Sequence, residues 1–256
     1  MRYVAIGDSF TEGVGDELPD GTARGWADLV AAGLATALAP TGETVEYANL
    51  AIRGRLLRPI VTTQLDAALA LRPPADLLTL NGGGNDMMRP GVDLAALVAQ
   101  LEEAIERCRT AGVRLVLIAG ADPTDQLPFG RTLRRRVTYL TAALTEICAR
   151  HDVTMISAFA DLELRNPRYW SHDRLHLNTA GHERVAGLVL HGLGYAPMPE
   201  PAPAGAAARR GAGANARFYR EHVLPWVQRR LRGRSSGDDR DPKHPVWQLI
   251  EPTVVP

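Results

Sequence analysis

The sequence predicts an α/β protein whose parallel sheet is covered by helices on both faces. Short apolar runs alternate with longer amphipathic stretches as far as about residue 193, and this alternation is typical of parallel strands joined by helical crossovers. The run RLVLI is almost continuously apolar, as expected for a strand buried on both faces. With 256 residues, 45% of them hydrophobic, the chain is long enough for one domain with its own core, or one domain plus an extension.

Five strands and five longer helices account for this alternation. The predicted strands are Tyr3 to Ile6, Thr44 to Leu50, Asp76 to Leu80, Arg114 to Ile118 and Thr154 to Ala158. The predicted helices are Trp26 to Leu38, Leu56 to Leu71, Asp93 to Thr110, Leu133 to Arg150 and Thr179 to Leu193. Local signals support the boundaries, because Pro73 stops the second helix, Asp93 is the expected N-cap of the third, and Gly112 closes it.

The composition changes after about Tyr195. We predict a domain over residues 1–195, a linker rich in Pro, Ala and Gly over 196–216, and a C-terminal extension over 217–256. The extension is expected to contain a short basic amphipathic helix, bent at Pro225, followed by the cluster Arg229, Arg230, Arg232 and Arg234. We expect this helix to dock on the domain by its apolar side. A homodimer contact and an anionic membrane or substrate surface are the alternatives.

Composition also argues against several classes of protein. The chain has 29 basic residues (Lys and Arg) and 29 acidic residues (Asp and Glu), so its formal net charge is zero. A protein that binds nucleic acid usually has an excess of positive charge, so the net charge does not indicate nucleic-acid binding. No apolar run approaches the roughly 20 residues that span a bilayer. Too few residues precede the first motif for a secretory signal, so a cytoplasmic location is expected if Met1 is the native start. Cys108 and Cys148 are expected to be buried free thiols, a disulfide between them being the alternative.

A serine lies where a parallel sheet normally binds its ligand, beyond the carboxyl end of the first strand. This residue is Ser9, in the segment GDSFTEG. A serine hydroxyl is a weak nucleophile until a base removes its proton, and a histidine base needs a carboxylate that fixes its tautomer. Asp173 and His176, three residues apart in DRLH, can present both side chains from one loop. We therefore predict Ser9, His176 and Asp173 as a catalytic triad.

Two further loops offer donors for the oxyanion that acyl transfer generates. Gly54 follows the second strand, and a glycine lets its backbone N–H approach a substrate closely. Asn85 follows the third strand within GGND, where its side-chain amide can donate. We expect Asp8 and Asp86 to be structural hydrogen-bonding residues of these loops.

Other interpretations of these residues are open at this point. Ser9 could be a turn residue or a helix cap, and Asp161 or Asp125 could orient the histidine. Metal ligation is a further alternative for His172, Asp173, His176 and His182, but no carboxylate–histidine motif of a zinc enzyme is present, and we expect no metal. The segment GRSSG at Gly233 to Gly237 matches the G-x-S-x-G motif. We reject it, because that motif needs a strand before it and a helix after it.

Taken together, GDSFTEG, ANLAIRG, GGND and DRLH resemble the four sequence blocks of the SGNH/GDSL hydrolases, in the family's order. The resemblance spans Gly7 to His176. It departs at Ala51, where many members have a second glycine in the second block. The resemblance implies a flavodoxin-like three-layer α/β/α sandwich with a five-stranded parallel sheet, to which this chain adds a C-terminal extension.

The resemblance also implies an activity, that of an esterase or lipase acting on a small-molecule carboxylic ester through an acyl-enzyme on Ser9. Asp173 and His176 would complete the triad. The Ser9 N–H, the Gly54 N–H and the Asn85 side chain would form the oxyanion hole, and no cofactor would be needed. An acyltransferase using the same site and a catalytically silent binding module of the same fold are the alternatives.

Overall fold

The described residues form one six-stranded sheet. The computed structural model describes residues 1–127, 130–201 and 237–253. The strands are β1 (Arg2–Ile6), β2 (Val45–Asn49), β3 (Leu77–Leu80), β4 (Arg114–Ala119), β5 (Thr154–Ser157) and β6 (His244–Ile250). They lie in the order β5-β4-β3-β1-β2-β6; the first five are parallel, and β6 is antiparallel to β2. The parallel α/β sheet predicted from the sequence is confirmed, with six strands rather than the expected five.

Helices connect the parallel strands. They are α1 (Ser9–Glu12), α2 (Trp26–Leu38), α3 (Leu57–Pro59), α4 (Leu65–Ala70), α5 (Gly84–Met87), α6 (Leu94–Thr110), α7 (Gly130–His151) and α8 (Thr179–Leu193). The bounds of α2 and α8 are those predicted. The predicted helix over 56–71 is a continuous run in which the π-helical residues Ile60–Gln64 join α3 to α4. Asp93 caps α6 as expected, because its side chain accepts a hydrogen bond from Ala96 N–H at 3.0 Å.

Two apolar layers bury the two faces of the sheet. Successive residues of a strand point to opposite faces, so Val4 and Ile6 of β1 pack in the layer that contains the inner sides of α4, α6 and α7. Tyr3 and Ala5 pack in the layer that contains α2 and α8. Because helices cover both faces, the loops at the carboxyl ends of the strands are left to form a site.

The C-terminal tail forms the strand that the sequence analysis did not predict. β6 pairs with the outer edge of β2, with Val45 opposite Ile250 and Asn49 opposite His244. An edge strand tolerates Pro245, since a proline there removes no bond from the interior of the ladder.

Three predicted features lie outside the described residues. They are the basic helix with its arginines, the linker after Pro201 and the serines of GRSSG. The domain boundaries at 195 and 216 therefore stay predictions.

Both cysteines are buried free thiols in the same apolar layer, as expected. Burial raises the pKa of Cys108 and of Cys148 to about 11, so both stay protonated near neutral pH and are poor nucleophiles.

Within the part of the chain that the structure describes, each helix is either too short or too polar to cross a lipid bilayer.

Candidate active site

Ser9 lies at the carboxyl edge of the sheet, directly after β1. It is the first residue of α1, and Asp8 caps that helix by accepting a hydrogen bond from Phe10 N–H at 3.1 Å. The preceding turn is held by Gln64, whose side chain accepts from Gly7 N–H at 2.8 Å and donates to Gly7 O at 3.0 Å. Hydrogen bonds on each side of Ser9 therefore fix the backbone that carries its hydroxyl.

A chain of hydrogen bonds joins the three residues predicted as a triad. His176 Nε2 lies 3.0 Å from Ser9 Oγ, and His176 Nδ1 lies 2.5 Å from Asp173 Oδ2. A proton on Nδ1 directed at the carboxylate leaves Nε2 as the acceptor for the serine hydroxyl. The structure thus brings together side chains that are 167 residues apart in the chain.

A tight turn presents Asp173 and His176 together. An isolated β-bridge between Trp170 and Leu177 closes the loop, and Ser171 N–H donates to His176 O at 2.9 Å. At Arg174 the backbone turns through a left-handed conformation with φ of 58°. The three-residue spacing read in the sequence is therefore the length of this turn.

The Asp173 carboxylate is held ionised. Its Oδ1 accepts hydrogen bonds from Ser171 Oγ at 2.6 Å and from the N–H groups of Leu175 and His176 at 3.0 Å each. Burial alone would raise the pKa of Asp173, but the bonds from His176 and Ser171 outweigh burial and hold the pKa well below its usual value. An ionised carboxylate is the form that orients a histidine base.

The two candidate oxyanion donors line the same cavity as Ser9. Gly54 has a φ of +74°, a conformation that favours glycine because it has no Cβ. Asn85, at the start of α5, directs its amide nitrogen to Asp8 Oδ2 and to Arg55 O at 3.1 Å each. The amide is therefore oriented by the loops on both sides. To donate to an oxyanion, the Asn85 amide would have to share or give up one of these hydrogen bonds.

Asp8 and Asp86 brace the loops, as expected. Asp86 Oδ2 accepts from Leu57 N–H at 2.8 Å and so ties α5 to the beginning of α3. Asp8 links α1 to Asn85 and is almost fully buried. Burial raises the pKa of Asp8 to about 6, although hydrogen bonds from Phe10 and Asn85 oppose the shift.

An ion pair that the sequence did not predict connects two loops of the candidate site. Glu12, at the end of α1, is buried, and its carboxylate accepts from Arg53 N–H at 2.6 Å and from Arg53 Nε at 2.8 Å. Arg53 directly precedes Gly54, so this pair joins the helix of Ser9 to the loop of Gly54. Glu12 lies inside GDSFTEG and Arg53 inside ANLAIRG, but nothing in either segment alone predicts that they meet.

The alternative carboxylates are paired elsewhere. Asp161 accepts two hydrogen bonds from Arg184, at 2.7 and 3.1 Å. Asp125 forms an ion pair with Arg134 at 2.8 Å. Neither has a hydrogen bond to His176 among the contacts of the described residues, so Asp173 is the carboxylate that meets the histidine.

His182, one of the alternative metal ligands, is a core residue. His182 is fully buried, where Nδ1 accepts from Trp26 N–H and Nε2 faces Val14 O, at 3.2 Å each. Burial lowers the pKa of His182 to about 4, so it is a neutral core residue. Among the described residues, no group of three or more His, Cys, Asp or Glu side chains is arranged to hold a metal ion.

A cavity of about 340 Å³ opens beside Ser9. Its polar end contains four of the five predicted site residues, namely Ser9, Gly54, Asn85 and His176. The remainder is largely apolar. One face of α7 lines it with Leu133, Val137, Leu140, Thr141 and Leu144, and Met87, Met88 and Ile118 also line it.

The chain belongs to the GDSL-like lipase/acylhydrolase family, whose model matches residues 5–184. The matched region contains all of the predicted site residues and ends before β6. Membership places the chain among the hydrolases of acyl esters in general. A search of curated proteins found no match to the chain.

Solved structures of esterases and lipases share the fold. A lipase, Lip_vut3, from a goat rumen metagenome is 18% identical, with a TM-score of 0.62 over 78% of this chain and 100% of that one. A variant of the acetyl xylan esterase Axe2 from Geobacillus stearothermophilus is 20% identical, with a TM-score of 0.61 over 78% and 97%. The esterase EstA from Pseudoalteromonas sp., solved inhibited by monoethylphosphonate, is 18% identical, with a TM-score of 0.58 over 75% and 96%.

Proposed function

We propose that this protein is a serine esterase that hydrolyses a carboxylic ester through an acyl-enzyme on Ser9. The observation that carries the proposal is the hydrogen-bonded chain from Ser9 Oγ through His176 to Asp173. This chain stands at the polar end of a cavity that Gly54 and Asn85 also line. Nucleophile, base, orienting carboxylate and donors are the groups that acyl transfer requires.

In the proposed first step, His176 Nε2 takes the proton of Ser9 Oγ as that oxygen attacks the acyl carbonyl carbon. The negative charge that develops on the carbonyl oxygen is stabilised by the N–H groups of Ser9 and Gly54 and by Asn85 Nδ2. Asp173 stabilises the imidazolium and keeps its Nδ1–H directed away from Ser9. Collapse of the tetrahedral intermediate breaks the bond to the leaving alcohol, which receives the proton from Nε2.

The second step repeats the chemistry with water. His176 Nε2 removes a proton from a water molecule that attacks the acyl-Ser9 carbonyl, and it then returns the proton to Ser9 Oγ. The products are the free carboxylic acid and the regenerated enzyme. No metal or cofactor is part of this scheme.

The apolar wall of the cavity supports an ester with an aliphatic acyl chain. The residues of α7 that line the cavity run from Leu133 to Leu144, a length of about 16 Å at 1.5 Å per helical residue. Burial of a methylene group is worth about 0.8 kcal/mol, which corresponds to about a fourfold gain in kcat/KM for each carbon added to the chain. We expect this gain to stop when the cavity is full.

The test is hydrolysis of a p-nitrophenyl ester series, from acetate to palmitate, by the wild type and by Ser9→Ala. We expect wild-type kcat/KM to rise with chain length and then to fall, and we expect a folded Ser9→Ala variant to be inactive on every ester. Equal activity of the two proteins would overturn the proposal. Product analysis with an added alcohol distinguishes hydrolysis from acyl transfer, since a transferase would form the new ester.

A matched pair of variants on α7 tests the acyl wall. Thr141 lines the cavity, whereas its neighbour Ala142 is exposed on the same helix. Thr141→Trp should shorten the preferred acyl chain by filling the cavity, and Ala142→Trp should leave the chain-length profile unchanged. An unaltered profile in Thr141→Trp would place the acyl chain elsewhere.

A further inference from the structure

The C-terminal segment of residues 237–250, called the strap here, packs against two loops of the candidate active site before it joins the sheet. Gly237 packs on the backbone oxygen of Arg53, so closely that an added Cβ would lie 2.1 Å from that oxygen. Asp238 faces Arg55 at 3.9 Å. The strap therefore contacts the loop of Gly54 on both sides of that glycine.

The strap also contacts the helix that carries Ser9. Lys243 Nζ donates to the backbone oxygens of Glu12, Ala23 and Arg24 at 2.7, 2.8 and 2.5 Å, and to Asp28 Oδ2 at 2.6 Å. An ammonium group has three hydrogens, so these four acceptors saturate it. Glu12 O belongs to the last residue of α1, whose first residue is Ser9.

Side chains of the strap and of the Gly54 loop also approach each other at the Glu12 carboxylate. Glu12 receives the N–H and guanidinium of Arg53 on one side, and the Arg240 guanidinium of the strap approaches it at 3.7 Å. The loop of Gly54, the helix of Ser9 and the strap are thereby joined in one polar network around the buried Glu12 carboxylate. Because polar groups inside a protein interact strongly and must be satisfied together, loss of one member should loosen the others.

We propose that the strap holds the oxyanion loop in register with the nucleophile, and that Lys243 is its positioning residue. The strap lies outside the region of the family match, which ends at residue 184, so this support is an addition to the catalytic domain. The proposal rests on the proposed esterase function for its kinetic consequence. Its structural consequence, a rigid link between residues 7–13 and 50–56, does not depend on that function.

The experiment compares two substitutions in the full-length chain. Lys243→Met keeps the aliphatic stem and removes the charge beside the active site. Trp247→Leu is the matched control, because Trp247 belongs to the same strap but donates to Pro73 O, ahead of the amino end of β3, at 2.9 Å. Melting temperature, kcat, KM and amide hydrogen exchange of the peptides over 7–13 and 50–56 are measured for both.

Misplacement of catalytic groups by about 1 Å costs on the order of 100-fold in rate. We therefore expect Lys243→Met to lower kcat by about 10- to 100-fold with little change in KM, and to speed exchange in both peptides. Trp247→Leu should lower the melting temperature while kcat and exchange in those peptides stay at wild-type values. Equal kcat losses in the two variants, or none in Lys243→Met, would overturn the proposal.

Two further outcomes have fixed meanings. If Lys243→Met does not fold, Gly237→Ala replaces it, because the added methyl group must push the strap away from Arg53 O, and the same kcat loss is expected. If the wild type hydrolyses no ester, the esterase proposal fails. Amide hydrogen exchange is then the only test of the positioning proposal, and unchanged exchange of the two peptides in Lys243→Met would contradict it.

Discussion

Replacement of Asp173 by asparagine should disable the base without disturbing the fold. Three donors, Ser171 Oγ and the N–H groups of Leu175 and His176, meet Asp173 at Oδ1. An asparagine oxygen can occupy that place and keep all three bonds. The amide nitrogen must then take the place of Oδ2, which now receives His176 Nδ1 at 2.5 Å.

The size of the effect follows from the tautomer. An amide N–H facing Nδ1 makes that nitrogen an acceptor, so the imidazole proton moves to Nε2. There it points at Ser9 Oγ, 3.0 Å away, and the histidine can no longer accept the serine proton. The same change in another triad costs about 10⁴-fold in kcat, which corresponds to about 5 kcal/mol of transition-state stabilisation.

The assay is kcat on a short-chain p-nitrophenyl ester, with the melting temperature recorded for each variant. Ser171→Ala is the control, since it removes one bond to the same carboxylate and leaves the tautomer unchanged; its kcat should stay within about tenfold of the wild type. A folded Asp173→Asn variant with kcat within about tenfold of the wild type would refute the assignment of Asp173.

Two further predictions concern the oxyanion hole and the buried histidine. Asn85→Ala should lower kcat by about 100- to 1000-fold in a folded protein, because it removes one donor to the oxyanion; near-wild-type turnover would contradict that role. His182 has a pKa of about 4 in the folded protein, against 6.5 for the free side chain. Its contribution to stability is therefore fully present above about pH 6.5 and is lost as the pH falls towards 4. The difference in unfolding free energy between the wild type and His182→Gln should therefore be larger at about pH 7.5 than at about pH 4.5, by about 2–3 kcal/mol. Asp8 titrates in the opposite sense over this range, since burial raises its pKa to about 6, but it cancels in the difference between the two proteins. A pH-independent difference in chemical denaturation would refute the buried neutral state of His182.

Local patterns were sufficient for the elements that pack against the sheet. The periodic apolar residues of α2 and α8 and the capping signal of Asp93 lie within a few residues of what they determine. The motif blocks predicted the meeting of Ser9 with His176, because a parallel sheet gathers the loops that follow its strands.

Features that depend on distant pairing were not predictable in this way. β6 begins 51 positions after the last residue of α8, and its pairing with β2 leaves no periodic signal that distinguishes it from an apolar tail. The Glu12–Arg53 pair and the acceptors around Lys243 join residues 41 and more than 200 positions apart. Only the assembled fold places such charges together, so composition and spacing carry no information about them.

The most direct test of the central claim is labelling of the protein with diethyl p-nitrophenyl phosphate, followed by intact mass and peptide mapping. A serine activated by His176 attacks phosphorus and expels p-nitrophenolate, and the diethylphosphoryl group remains on the nucleophile. We predict one adduct per chain, located on Ser9, and none in a folded Ser9→Ala variant. An unlabelled wild type, or the same adduct in Ser9→Ala, would contradict the assignment of Ser9 as the nucleophile.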